Sequence, residues 1–111
     1  SSYLIDGMTQ VVTQLQEMDY EKLHIIIGMV KDKDIDGVLA LLPTKAKYYF
    51  CQPNLERALP ANELEQKAIK HQLKGTSFNS VTEALQEAKQ NATQKDLIFV
   101  GGSTFVVAEI L

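Results

Sequence analysis

The chain has 111 residues, 45% of them hydrophobic and 23% charged, with a net charge of −3. That length makes one domain, long enough to bury roughly two-thirds of its unfolded surface without staples. An acidic balance with no basic stripe excludes nucleic acid as a main partner, and no stretch approaches the roughly 20 apolar residues that a membrane helix needs.

Met8, Val11, Val12, Leu15 and Met18 recur at three- and four-residue spacings, which predicts an amphipathic helix over 6–19. Leu23, Ile25, Ile26 and Ile27 then make an apolar run that ends at Gly28, the pattern of a strand covered on both faces, and a strand is expected over 23–28. Ile35, Val38, Leu39 and Leu42 form a short helical face closed by Pro43, with Asp34 as its N-cap. Tyr48, Tyr49 and Phe50 give strong β-propensity to a second strand over 46–51. Pro53 and Pro60 mark a connection, after which Asn62 and Glu65 have the form of a capping box opening a helix that stops at Gly75. Ser80 and Glu83 form a second such box, with Phe78 before it as a short strand residue or a hydrophobic staple. A last strand is expected over 96–100, and the stretch 104–111 either starts a final helix or simply ends the chain.

Strands alternating with helices imply a three-layer α/β/α Rossmann-like sandwich with a mainly parallel sheet. The opening helix has no strand before it, which suggests that the natural chain extends upstream. In open parallel sheets ligands gather at the carboxyl ends of the strands. Three pieces should therefore face one space: residues 29–34, 52–54 and 101–104. Lys31 and Lys33 suit a phosphate or carboxylate, and Asp32 is placed to orient one of them. Taken on its chemistry alone, however, a solvated charged loop is the more ordinary explanation of Lys31, Asp32, Lys33 and Asp34. Gly101, Gly102 and Ser103 would let backbone amides approach a phosphate if a helix begins there, although they match no established phosphate-loop motif and a tight turn explains them as well. Cys51, the single cysteine, reads as a small core residue in a reducing compartment rather than a nucleophile. His24 reads as a packed residue and His71 as part of a solvated face. No Cys/His cluster has metal spacing and no triad is assignable, so no metal is expected.

Ile26-Ile27-Gly28-Met29-Val30-Lys31-Asp32-Lys33-Asp34-Ile35 resembles the strand, loop and helix of the C-terminal domain of folylpolyglutamate synthases and bifunctional dihydrofolate synthases, where Gly-Met-x-x-Asp-Lys-Asp follows an apolar strand. Asp96 to Glu109, with Gly101-Gly102-Ser103-Thr104, is similar to that family's last strand and the helix start after it, and Val81-Thr82-Glu83-Ala84-Leu85 to the preceding helix. These last pieces are shared with Mur ligases generally. The resemblance implies a single Mur-ligase-type C-terminal domain over 1–111, part of a cytoplasmic ligase of folate and one-carbon metabolism. There, ATP activates a folate carboxylate as an acyl phosphate and glutamate's amine displaces the phosphate. ATP and Mg would be bound mainly by an N-terminal P-loop ATPase domain, against which this domain docks, and none is expected in the fragment. That P-loop is absent here, as is the family's Asp-Gly-Ala-His-Asn-Pro motif, since Asp6-Gly7-Met8 lacks the His-Asn. The resemblance therefore assigns a substrate- and nucleotide-facing loop (Lys31, Asp32, Lys33, Asp34, Gly101, Gly102, Ser103) and no catalytic residue, and it implies that the fragment alone is inactive. The alternative is a stand-alone, non-catalytic α/β binding or receiver-like module.

Overall fold

A computed structural model describes residues 2–102 and 107–110, with side chains from residue 7 to residue 102. Its elements run α1 (Ser2–Glu17), β1 (Leu23–Gly28), α2 (Ile35–Leu41), β2 (Lys47–Phe50), α3 (Ala61–Ile69), β3 (Gly75–Ser77), α4 (Val81–Asn91), β4 (Leu97–Gly102) and β5 (Val107–Ile110). They form one sheet in the order β3-β2-β1-β4-β5. β1 to β4 are parallel, and β5 returns antiparallel beside β4.

β1 is central and every one of its residues is buried, which is why its sequence, His24 apart, is apolar throughout instead of alternating. The strand pleat sends successive side chains to opposite faces. Leu23, Ile25 and Ile27, with Tyr48, Phe50, Leu97 and Phe99, pack under α1, α2 and α3. Ile26, Tyr49, Cys51, Ile98 and Val100 pack under α4 through Ala84 and Ala88. The expected α/β/α layering is thus present, and the three expected strands share one sheet.

Several local expectations need correction. Asn62 and Glu65 do not form a capping box: the helix begins at Ala61 with Pro60 as an N-cap that offers no side-chain bond. Pro60 fixes the backbone at the entry, and Glu65 instead accepts a hydrogen bond from the Ser77 hydroxyl. Gly75 is not merely a helix stop but opens β3. A side chain there would place its Cβ 1.9 Å from the Tyr48 carbonyl oxygen, so the edge strand closes against β2 only because residue 75 has none. Phe78 lies just beyond β3, where its amide donates to the Phe50 carbonyl and its ring stacks on Tyr49. β4 runs two residues past its expected end, so Gly101 and Gly102 belong to a strand and not to a turn into a helix. Where a helix was considered over 104–111, residues 107–110 form strand β5, and residues 104–106 and 111 of that expectation lie outside the described residues.

Two caps hold as expected. The Asp34 carboxylate accepts from the Gly37 amide at 3.1 Å, and the Ser80 hydroxyl accepts from the Glu83 amide at 3.1 Å.

Candidate functional site at the carboxyl edge of the sheet

The roots of the three expected loops converge. Gly28 and Gly102 are paired at the ends of β1 and β4. A Cβ on Gly102, whose φ is +152°, would stand 2.0 Å from the Gly28 carbonyl oxygen. Such an approach needs glycine for both space and backbone conformation. On the other side of Gly28, a Cβ would lie 3.0 Å from the Pro53 ring. The end of β4 and the segments after β1 and β2 therefore stand shoulder to shoulder at this edge. Ser103 lies outside the described residues.

The charged loop is more ordered than its composition suggests. Met29 and Val30 are buried, and the loop zips onto the segment before Pro60. The Leu59 amide donates to Met29 O at 2.8 Å, the Lys31 amide donates to Arg57 O at 2.8 Å, and Val30 bridges Ala58. Lys31, Asp32 and Asp34 stand exposed and Lys33 half-buried above that base. Among the described residues neither lysine is in an ion pair. Asp34 is committed to its helix cap. Asp32 does not orient Lys31 or Lys33 as expected, because its carboxylate pairs with Arg57 at 2.8 Å. Arg57 was not singled out by sequence; it lies 25 residues from Asp32, and no periodicity announces such a pairing.

Beside this loop a polar cleft of about 400 Å³ opens among Gln52, Asn54, Asn79, Ser80 and Thr82, also at the carboxyl edge. A larger hollow of about 480 Å³ lies at the opposite, amino edge, among Lys22, His24, Lys45, Lys47 and Asn91. It is far from the converging loops, and the carboxyl edge has the stronger chemical claim because unpaired cations and bare backbone meet there. Among the described residues, no group of three or more His, Cys, Asp or Glu side chains is placed to hold a metal ion.

The remaining sequence candidates are structural. His24 is buried, with Nε2 2.9 Å from Asp96 and Nδ1 2.8 Å from the Tyr49 hydroxyl, which also accepts from Asn91. Burial pushes the Asp96 carboxyl up, but hydrogen bonds from His24 and from the Thr93 amide and hydroxyl outweigh it and hold the group down at about 2. An ionised Asp96 only accepts, so the Nε2 hydrogen points at it. Burial pushes the Cys51 thiol up to about 12, which makes it a poor nucleophile, as its sequence context implies. His71 is not simply solvated: its Nε2 reaches Asp36 at 3.0 Å, and that bond lowers the Asp36 carboxyl.

Residues 5–104 match the family model described as Mur ligase, glutamate ligase domain. This chain belongs to the Mur ligase family. It is 36% identical over 86 residues to the dihydrofolate synthase/folylpolyglutamate synthase of Escherichia coli, covering 78% of this chain and 20% of that protein. It is 33% identical over 107 residues to a probable bifunctional folylpolyglutamate synthase/dihydropteroate synthase of Haloferax volcanii, covering 94% of this chain and 12% of that protein. Among solved structures, the Yersinia pestis bifunctional folylpolyglutamate synthase/dihydrofolate synthase complexed with AMPPNP and Mn superposes with a TM-score of 0.76 at 27% identity, over 89% of this chain and 23% of that one. The folate-ligase resemblance is therefore borne out, and this Mur ligase domain spans a quarter or less of the length of these relatives. No helix among the described residues is long and apolar enough to cross a membrane.

Proposed function

We propose that this domain is the C-terminal part of a cytoplasmic ATP-dependent ligase that adds glutamate to folates. In that reaction the γ-phosphoryl group of ATP passes to a folate carboxylate and ADP leaves. The amine of glutamate then attacks the acyl carbon, the C–N amide bond forms with loss of the amine proton, and the C–O bond to phosphate breaks to release inorganic phosphate. The observation that carries the reading is the family match over residues 5–104 together with relatives that are folylpolyglutamate synthases. The match disfavours a receiver-like module, as does β3, which offers no acceptor aspartate at its end.

ATP and Mg do not fit this domain alone. It has no glycine-rich P-loop and, among the described residues, no metal-ligand cluster. Both belong to the ATPase domain, and the carboxyl edge of this sheet faces that domain. Lys31 and Lys33 present unpaired positive charge to the substrate carboxylate or acyl phosphate, which is where negative charge concentrates. Gly101 and Gly102, laddered against Ile27 and Gly28, end β4 at the same edge.

The test is turnover. The purified chain should hydrolyse ATP with folate and glutamate no faster than buffer. Lys33→Ala in the intact ligase should lower turnover by about ten- to a hundredfold, as expected for one lost charged contact of about 1.5–3 kcal/mol, with Lys70→Ala as the unaffected control. Parental rates in both variants would remove the loop from the active surface.

A further inference from the structure

We propose that Arg57 is a third anion-binding group of the carboxyl edge, with Asp32 holding the place of a ligand's carboxylate or phosphate oxygens. This rests on the reading that the edge faces substrate. Arg57 is fixed at its base and exposed at its tip. Its carbonyl accepts from the Lys31 amide, and the next two residues, Ala58 and Leu59, are buried against Val30 and Met29. The backbone therefore sets Arg57 directly opposite the lysine loop. Its side chain is 64% exposed, and the Asp32 side chain that it meets is 56% exposed.

An ion pair so open to water contributes little to stability and is readily exchanged. If the pair served only to stitch the loop, the backbone zipper beneath it would already have done so. Only Nη1 of the guanidinium is bonded to Asp32, which leaves the rest of the planar fork available to an incoming anion. Arginine binds planar carboxylate or phosphate oxygens bidentately, with short charge-assisted bonds. Lys31, whose amide bonds the Arg57 carbonyl, and Lys33 lie on the same loop as Asp32, and the Asp34 carboxylate caps its helix through the Gly37 amide. An anion arriving at Arg57 thus has Asp32 to displace, with two further cations on the loop that carries Asp32.

The experiment is a binding titration of the 111-residue chain by NMR at constant ionic strength, with L-glutamate and inorganic phosphate as separate arms. The expected result is saturable shifts of the Arg57, Lys31 and Lys33 side-chain signals with a Kd of about a millimolar, the range for a small anion held by a few contacts. The tighter arm tells whether the subsite takes the carboxylate or the phosphate. Arg57→Ala should weaken binding by about tenfold and Arg57→Lys should restore part of it. Asp32→Asn, which removes the internal competitor, should tighten binding by about threefold, opposite in sign to Arg57→Ala. A structural pair would instead shift the melting temperature in the same direction in both variants and leave affinity unchanged. That result, or no saturable binding by the parent chain, overturns the proposal. Neither touches the ligase reading, which the Lys33→Ala turnover assay decides separately.

Discussion

Asp96 shows how one buried residue can tie four elements. Its carboxylate receives His24 from β1, the Thr93 amide and hydroxyl from the turn after α4, and the Lys22 amide from the entry to β1. His24 carries the connection onward to Tyr49 of β2, and Asn91 closes it from α4. Because the folded carboxyl is held at about 2, below its value in the unfolded chain, the unfolded state binds the extra proton first as pH falls. The stabilisation is fully present near neutrality and is lost from about pH 4 downward as pH approaches the folded value. Urea titrations at several acidic pH values should show that loss in the parent chain and a flatter profile in Asp96→Asn. Asp96→Ala should destabilise at pH 7 by about 3 kcal/mol, because it strands His24 and the Thr93 amide without an acceptor. Sequence placed His24 correctly as packed, yet its partner lay 72 residues away and was not legible. Arg57 escaped notice for the same reason: a pairing between loops leaves no period in either of them.

At the scale of elements, what sequence reveals depends on how each strand is buried. β1, His24 apart, and the core of β4 are apolar runs and were readable to within a residue or two at their starts. β3 is three residues, Gly75, Thr76 and Ser77, at the sheet edge, where little apolar surface is gained and no hydrophobic signal is required. β4 carries the more consequential surprise, because its two glycines continue the ladder beside β1. Gly102→Ala would drive a methyl into the Gly28 carbonyl and impose a side chain at φ +152°. It should cost about 1–3 kcal/mol by denaturant unfolding, the range for overpacking, with strain at that φ placing it toward the upper end. A loss within experimental error would mean that the strands do not abut there. The paired capping motifs teach a related lesson. Ser80 caps because the residue before Val81 is extended, whereas the Asn62 motif was overruled by Pro60 starting the helix two residues earlier.

For the whole molecule, alternation of apolar runs was enough to establish the layers, and parallel strands then brought the carboxyl ends of β1, β2 and β4 to one edge. The family follows from the fold and the match together, whereas the contents of the edge follow from contacts that only the folded chain brings together. The zipper between residues 29–31 and 57–59 has a further consequence for how this edge meets a ligand. Loops beside active sites are commonly floppy and must be ordered when something binds, which weakens association. Here the amides of Lys31, Cys51 and Leu59 are all held by backbone carbonyls at 2.8 to 2.9 Å. In hydrogen–deuterium exchange these three should persist as long as the amides of the central strands, on the time scale of global opening. Exchange at the rate of an unstructured loop would show the edge to be soft. With slow exchange, the lysines ride on the sheet as part of one stiff body, and the charges meet their ligand already arranged.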